Sequence, residues 1–312
     1  MCQASPFSPP FRRSLRQLTT VVYLIHPWCP VLVQGAAKVI GLTGLLVENT
    51  VVLFILVLVS SFLLSQMLLL LQPPRPVQTG RAWIELDRAA LRHNVQQLQS
   101  ILPGCALMPA VKANAYGHGA VLVAKELNRL GIMASCVATV TEGAELRRGG
   151  IKGEILVLGY THPEQFYMLR RYRLTQTVVD ISYARLLNAY GKKLKVHLKI
   201  DTGMHRLGIP ADRKEEIARV FHYRNLVITG IFTHLCAADV RTAEKEKFTM
   251  GQAAAFDCVI CDLNQRGLSC GKIHLLPSYG LLQYSELAGD YARVGIALYG
   301  VLSKEQIWKA VG

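Results

Sequence analysis

Charged residues are scarce in this sequence. They make up 18% of the 312 residues, whereas hydrophobic residues make up 51%, and the mean hydropathy is +0.26. Disordered chains have the opposite composition, with high charge and few residues that can form a core. The scarcity therefore excludes a disordered protein and predicts a folded chain, long enough for one large domain or about two of average size.

The patterns of several function classes are also missing. No run of lysine and arginine and no nucleic-acid motif accompanies the formal net charge of +14, so we expect no nucleic-acid partner. The 8 cysteines show no disulfide framework, which favours reduced thiols in a cytoplasmic setting. Cys258 and Cys261 form a CxxC pair, but without a second pair they predict no metal site.

Charged residues are absent from two long apolar segments, Leu18–Ala37 and Val51–Leu71. About 20 apolar residues suffice to cross a bilayer, and the prolines at 27 and 30 are tolerated in spanning helices. We therefore predict two transmembrane helices within residues 18–71 and a membrane-lipid partner. The positive-inside rule predicts a multi-pass protein of the cell membrane, with residues 1–17 and the catalytic domain in the cytoplasm.

Residues 72–80 (QPPRPVQTG) predict a linker to a domain that spans residues 81–312. Short aliphatic runs there predict strands at 106–111, 135–138, 154–158, 175–179, 195–200, 227–232, 272–276 and 292–298. Eight strands, each followed by a helix, favour an α/β fold closed into a (β/α)8 TIM-like barrel. An open Rossmann-type sheet is the alternative, but no GxGxxG motif follows any of these strands.

Helix-length amphipathic stretches separate the strands. They predict helices at 120–130, 141–148, 163–171, 182–190, 211–221 and 244–265. An extra strand is predicted earlier, at 82–87, and a helix over 88–102 follows it. Asp87 stands where its side chain can cap that helix.

Polar residues follow several predicted strands directly, at the ends where (β/α)8 enzymes build their active sites. Each residue alone has a simpler explanation, such as a solvated lysine, a core histidine or, for Asp201 before Thr-Gly, a turn. Their occurrence at five strand ends nevertheless predicts one shared site. The residues are Lys112, Lys199, Asp201, His234, Ser278, Arg293 and Gly295.

Residues 110–119 (AVKANAYGHG) resemble the pyridoxal-phosphate attachment motif of the alanine racemase family. Residues 199–208 (KIDTGMHRLG), 231–239 (IFTHLCAAD) and 292–300 (ARVGIALYG) are similar to three further family blocks in the same order. The resemblance covers roughly residues 81–303 and, with the predicted membrane helices, is closest to the membrane-bound serine/alanine racemases of the vancomycin-resistance type. It implies an isomerase that depends on pyridoxal 5'-phosphate and acts on alanine, with serine left open.

The resemblance implies a catalytic set of four residues. Lys112 takes the place of the lysine that attaches the cofactor and then serves as one base. Arg293 faces the pyridine nitrogen and keeps it unprotonated, and His274 supports that arginine. His234 and Arg206 complete the set, and all four catalytic residues are implied to contact the cofactor.

The remaining implied contacts orient the phosphate and the substrate. Arg206 reaches the cofactor phenolate and the substrate carboxylate. Lys199 takes the place of a lysine that is often carbamylated in the family, and it orients Arg206. The phosphate ligands are Tyr116, Ser278 and the backbone amides of Gly295 and Ile296, since glycine lets a backbone approach a phosphate closely.

The family's second base is a tyrosine in a C-terminal β domain that reaches the partner subunit, whereas this sequence ends at Gly312, shortly after the eighth predicted strand. We therefore expect a truncated chain that lacks this domain, exchanges a Cα proton from one face and racemises poorly. The family is homodimeric, but a dimer is in doubt here because its contacts involve the same domain.

Two other readings remain. One is a non-catalytic barrel that binds pyridoxal phosphate, which the missing base favours and the retained Arg206, His234 and Arg293 oppose. The other is a membrane acyl-transfer or export module whose soluble part is vestigial. The choice between alanine and serine stays open because contacts to the substrate side chain come partly from the missing domain.

Overall fold

The computed structural model describes residues 30, 33–34, 38–39, 41, 50–71 and 84–302. The chain divides into two compact units, Met1–Trp83 and Ile84–Gly312. The first unit contains helix α1 (Thr50–Leu71). The predicted segment 1–17, the linker 72–80 and most of the predicted helix 18–37 lie outside the described residues.

Helix α1 coincides with the second predicted transmembrane segment. Among the described residues, no helix is both long and apolar enough to cross a membrane. The predicted multi-pass membrane location is therefore wrong, and the predicted transmembrane helices have no support in the structure.

Parallel strands and the helices between them make up the second unit. The strands are β1 (Ala106–Leu107), β2 (Ala134–Val137), β3 (Glu154–Val157), β4 (Thr175–Val178), β5 (Leu194–Asp201), β6 (Ile209–Pro210), β7 (Leu226–Phe232), β8 (Lys272–His274), β9 (Leu276–Pro277) and β10 (Tyr291–Arg293). The α-helices are α2 (Arg88–Ile101), α3 (Ala120–Arg129), α4 (Val140–Arg148), α5 (Phe166–Arg171), α6 (Ile181–Ala189), α7 (Lys214–Phe221), α8 (Ala243–Gln265) and α9 (Ser278–Gln283). Short 3-10 helices cover Pro163–Gln165, Ser285–Leu287 and Ile296–Tyr299.

The strands follow one another around a TIM-like barrel. One sheet has the order β2-β3-β4-β5-β7-β8, a second has the order β1-β10-β9, and the short β6 pairs with β5. The chain itself joins the sheets at Leu275, between β8 and β9, and a parallel bridge between Ala110 and Cys136 joins them on the other side. The predicted TIM-like barrel is confirmed, and the Rossmann-type alternative is excluded.

Most predicted strands and helices end within a few residues of the observed ones, but four predicted strands differ. The predicted strand over 106–111 is a strand only at Ala106–Leu107, and the one over 272–276 is divided at Leu275 into β8 and β9, which lie in different sheets. The last strand ends at Arg293 because the chain turns at Gly295 into a 3-10 helix, which replaces the predicted strand over 294–298. Residues 84–87 form no strand. As predicted, Asp87 caps α2, where its Oδ1 accepts the N–H groups of Ala89 and Ala90 at 2.7 and 3.1 Å.

Every second side chain of a strand points to the same face, so alternate residues of one strand line the barrel interior from one mouth to the other. On β5, Lys195 lines a cavity at the N-terminal mouth, His197 is fully buried, and Lys199 lines a cavity at the C-terminal mouth. On β10, Tyr291 and Arg293 line the same two cavities in the same order. The interior of this barrel therefore holds ionisable side chains as well as the branched aliphatic residues common in the fold.

Tyr183 of α6 provides a test of the packing around the barrel. Its buried hydroxyl accepts the N–H of Thr161 and donates to the carbonyl of Thr161, both at 3.0 Å. Tyr183→Phe leaves both backbone groups unpaired, so we expect the free energy of unfolding to fall by about 2 kcal/mol in urea denaturation. Tyr167→Phe, at an exposed position of α5, is the matched control with an expected change below about 0.5 kcal/mol. Equal effects of the two substitutions would contradict the assignment.

Candidate active site

An unusual backbone segment, Lys112–Tyr116, begins where the first barrel strand meets the C-terminal mouth. Ala113, Asn114, Ala115 and Tyr116 all have positive φ, between 50 and 56°. Residues other than glycine adopt this left-handed conformation at a cost of about 1–2 kcal/mol each. Several consecutive strained residues are typical of functional sites, where the surrounding structure must hold them.

Hydrogen bonds from neighbouring elements hold this segment. The N–H of Ala113 donates to Oε1 of Glu142 at 2.9 Å, and Oδ1 of Asn114 accepts the N–H of Ala120 at 2.8 Å. The other oxygen of Glu142 accepts the N–H of Ala138 at 2.7 Å, so one carboxylate links the ends of the first two barrel strands. Glu142 also forms a capping box with Thr139 at the start of α4. The sequence analysis did not single out Glu142, because its contact with Ala113 joins residues that are far apart in the chain.

The structure brings the predicted site residues to one cavity of about 420 Å³. Its lining includes Lys112, Tyr116, Lys199, Arg206, His234, Ser278, Arg293, Gly295 and Ile296. His274 does not line the cavity but lies fully buried behind Arg293. Asp201 instead shapes a loop, since its Oδ1 accepts the N–H groups of Gly203, Met204 and His205 at 3.0–3.1 Å, as expected for a turn residue.

Further lining residues were not predicted. They are Ala110, Cys136, Ala138, Leu158, Gly159, Leu207, Phe232, Pro277 and Tyr279. Most are apolar and follow or end a strand without any chemical signal in the sequence. The sequence feature that could have identified them is their position at the ends of strands predicted to meet at one mouth of the barrel.

Arg293 is the most enclosed charge in the site, with 6% of its surface exposed. One of its terminal nitrogens, Nη1, donates to His274 Nδ1 at 2.5 Å and to the carbonyl of His274 at 3.1 Å. The other, Nη2, donates to the carbonyl of Thr233 at 2.5 Å, and its guanidinium lies over the ring of Phe232 at 4.7 Å. Burial lowers the pKa of Arg293 to about 10. The side chain therefore remains a cation and a pure hydrogen-bond donor near neutral pH.

Positive charge dominates the cavity. Lys112, Lys199, Arg206 and Arg293 line it, and no carboxylate does so among the described residues. Burial, followed by the charges of Arg206 and Arg293, lowers the pKa of Lys199 to about 8. Burial, followed by the charge of Arg293 and the other cations, lowers the pKa of His234 to about 3, so this imidazole is neutral near pH 7. The arrangement favours an anionic ligand.

One side of the cavity offers hydrogen-bond donors to a phosphate group. Ser278 Oγ accepts the N–H groups of Gly295 and Ala297 at 2.9 and 3.3 Å, which places its hydroxyl hydrogen toward other acceptors. A Cβ atom at position 295 would lie 3.0 Å from the hydroxyl of Tyr116, so glycine keeps this approach open. Hydroxyls and backbone amides of this kind are common phosphate ligands.

Comparisons with known proteins agree with this geometry. Residues 86–303 match the family model described as the alanine racemase N-terminal domain. The chain is 39% identical to an amino-acid racemase of Enterococcus faecalis, over 92% of this chain and 41% of that protein, and 38% identical to a serine/alanine racemase of Enterococcus gallinarum with the same coverage. It thus spans about two fifths of the length of these curated relatives.

Solved structures show the same similarity. An alanine racemase of Clostridium difficile 630, in complex with cycloserine, has a TM-score of 0.67 and 32% identity, over 72% of this chain and 62% of that chain. An alanine racemase of E. faecalis has a TM-score of 0.62 and 33% identity, over 69% and 59% of the two chains.

The burial of Lys199 makes stability depend on pH. Its folded-state pKa of about 8 lies below the ordinary value of 10.5. Between these values the unfolded chain binds more protons, so this group's contribution to stability rises with pH; below about pH 8 the folded state bears the full cost of burying the ammonium. We expect Lys199→Met to be more stable than the native chain near pH 7 and to lose most of that advantage near pH 10, in urea denaturation at both values. A difference that does not change with pH would refute the burial argument.

Proposed function

The chain belongs to the alanine racemase family, whose N-terminal domain it contains at residues 86–303, and we propose that it is a pyridoxal-phosphate-dependent racemase of a small amino acid. Alanine and serine are the proposed substrates, because relatives named for both match the chain. One observation carries the proposal: the amine of Lys112, the guanidinium of Arg293 and a set of phosphate donors line the same cavity.

The residues fit the cofactor on which the family depends. Its three reactive or charged parts are an aldehyde, a ring nitrogen and a phosphate. We assign the aldehyde to the amine of Lys112, the ring nitrogen to Arg293, and the phosphate to Tyr116, Ser278 and the backbone at Gly295 and Ile296. A cavity of about 420 Å³ is within the usual range for such ligands.

Lys112 is the proposed base. When bound, the cofactor supplies an electron-withdrawing ring that acidifies the Cα proton of an attached amino acid. With the substrate amine attached to the cofactor in its place, the Nζ atom of Lys112 would take up and return that proton. The left-handed segment explains how Lys112 is presented, since the Glu142 contact at Ala113 fixes the backbone beside it.

Arg293 is proposed to control the electronic state of the ring. A guanidinium has no acceptor and cannot give up its charge near pH 7, so a ring nitrogen facing it stays unprotonated. This limits delocalisation of negative charge into the ring and suppresses side reactions such as transamination. Neutral His234, 3.5 Å from Arg293, adds no positive charge of its own there.

Arg206 and Lys199 are proposed to bind and orient the substrate carboxylate. Arg206 is exposed at the rim, where an incoming anion meets it first. The lowered pKa of Lys199 leaves part of its amine neutral at physiological pH. A neutral amine is the form that reacts with carbon dioxide, which supports the proposed carbamylation of Lys199.

Borohydride trapping tests the attachment site. We expect that incubation with pyridoxal phosphate, reduction and peptide mapping place the label on Lys112, and that Lys112→Arg abolishes both label and absorbance of the bound cofactor. Lys125→Arg, an exposed lysine on α3, is the matched control and should keep both. Label on another lysine, or no label at all, would overturn the assignment.

Proton exchange tests the reaction itself. We expect the chain loaded with cofactor to exchange the Cα proton of alanine for deuterium in heavy water, as measured by proton NMR. Lys112→Arg should slow this exchange by about a hundredfold or more, because it removes the positioned base. Cofactor binding without any exchange in the native chain would instead support a non-catalytic binding protein.

A further inference from the structure

A line of buried side chains crosses the barrel from the N-terminal mouth to Arg293. Glu154 Oε1 lies 3.2 Å from His197 Nε2, and His197 Nδ1 lies 2.9 Å from His274 Nε2. His274 Nδ1 in turn accepts the hydrogen bond from Arg293. Both imidazoles are fully buried, whereas Glu154 lines the cavity at the mouth opposite the proposed active site.

We propose that Glu154 is a positioning residue for the reaction: through His197 it stabilises the one tautomer of His274 that can accept from Arg293, and thereby the hydrogen bond that holds Arg293 in place. Neither Glu154 nor His197 touches the cavity assigned to the cofactor. The part of the proposal that concerns catalysis rests on the proposed racemase function, whereas the part that concerns hydrogen bonding does not.

The direction of every hydrogen bond in this line follows from Arg293. A guanidinium can only donate, so His274 Nδ1 must be the acceptor and the proton of His274 must sit on Nε2. That N–H points to His197 Nδ1, which must also accept. The remaining proton of His197 then sits on Nε2, beside the carboxylate of Glu154. The two imidazoles are therefore neutral and share the same tautomer.

Glu154 is suited to end such a line. Its Oε1 also accepts the hydroxyl of Thr175 at 3.0 Å. Although burial acts to raise its pKa, hydrogen bonds from His197, Thr175 and Tyr291 lower it overall, so Glu154 is a carboxylate near neutral pH. Burial and the Glu154 charge raise the pKa of Tyr291 to about 12, which keeps this phenol a donor. His197 Nε2 has no hydrogen bond of good geometry. The nearest acceptor that it faces is the Glu154 carboxylate, at 3.2 Å.

The backbone makes room for His197. A Cβ atom at Gly230 of β7 would lie 2.6–2.8 Å from three atoms of the His197 ring, so the neighbouring strand accepts this ring only because residue 230 is glycine. The register between β5 and β7 also shifts between Val196 and His197. The structure thus accommodates an imidazole at the one height where it meets both Glu154 and His274.

Loss of the carboxylate has a defined consequence. Without an acceptor at Nε2, His197 gains from moving its proton to Nδ1, where it faces His274 Nε2. His274 would then have to accept at Nε2 and carry its own proton on Nδ1, directly opposite the Arg293 donor. Two donors cannot share one hydrogen bond, so the Arg293 guanidinium is displaced.

Histidine NMR on the chain without cofactor tests the hydrogen-bonding part. With nitrogen-15 label in histidine, and signals assigned from His197→Gln and His274→Gln, we expect both native imidazoles to be neutral with the proton on Nε2. Glu154→Gln keeps an acceptor oxygen and should preserve this pattern, whereas Glu154→Leu should change it for both histidines. Glu145→Leu, an exposed glutamate on α4, is the matched control and should change neither.

Two results would overturn the proposal at this stage. One is a native His197 or His274 with its proton on Nδ1, which is decisive even if Glu154→Leu fails to fold. The other is a folded Glu154→Leu variant whose two histidine tautomers match those of the native chain.

Kinetics of the chain loaded with cofactor test the catalytic part. We expect Glu154→Leu to lower kcat for Cα proton exchange by about tenfold with little change in KM, as for groups that orient metal-binding histidines from behind. Glu154→Gln should restore most of the rate, and Glu145→Leu should match the native chain. An unchanged kcat in Glu154→Leu, despite altered tautomers, would overturn the positioning role. Absence of label on Lys112 would instead refute the proposed function. The NMR result would remain valid in that case, because it is measured without cofactor.

Discussion

The structure depends on a guanidinium buried at the point where the barrel strands meet. An unpaired charge in a protein interior is costly, and among the described residues Arg293 has no carboxylate in contact. Backbone carbonyls, one imidazole and an aromatic ring surround it instead. Because these partners come from β8 and from the end of β7, the side chain connects β10 to the other sheet across the junction. The contacts that bury the Arg293 charge therefore also hold the two sheets of the barrel together.

This arrangement explains why so many ionisable groups lie inside the barrel. A cation without a counter-ion must be surrounded by hydrogen-bond acceptors. His274 accepts from Arg293, and the same direction of hydrogen bonding continues from His274 to His197 and from His197 to the carboxylate of Glu154. On the other side, the same cation lowers the pKa of Lys199 and of His234, after the effect of burial, and so limits the total positive charge around the cavity. Glycine at 230 and at 295 provides space where side chains from neighbouring elements come close.

Sequence patterns predicted the barrel and its order of elements well, because each strand and helix carries its own hydrophobic period. They were less reliable where local and tertiary effects compete. The strand predicted to continue past Arg293 is apolar, yet it turns at Gly295 and becomes a 3-10 helix. The apolar composition of residues 51–71 predicted a transmembrane helix, whereas the described residues contain no helix that meets that requirement. Alanine and tyrosine rarely adopt a left-handed conformation, and one asparagine does not predict four consecutive left-handed residues at 113–116.

The sequence by itself determined the alternation of strands and helices, the polar residues that follow the strands, and the motif around Lys112. These features involve residues that are close together in the chain, so the sequence pattern is enough to predict them. The tertiary structure alone decided that Glu142 supports the segment after Lys112, that Asp201 shapes a loop outside the cavity, and that Glu154, His197 and His274 form a line to Arg293. Those contacts join residues from different strands, and the distance between such residues is set by barrel closure and not by their separation in sequence.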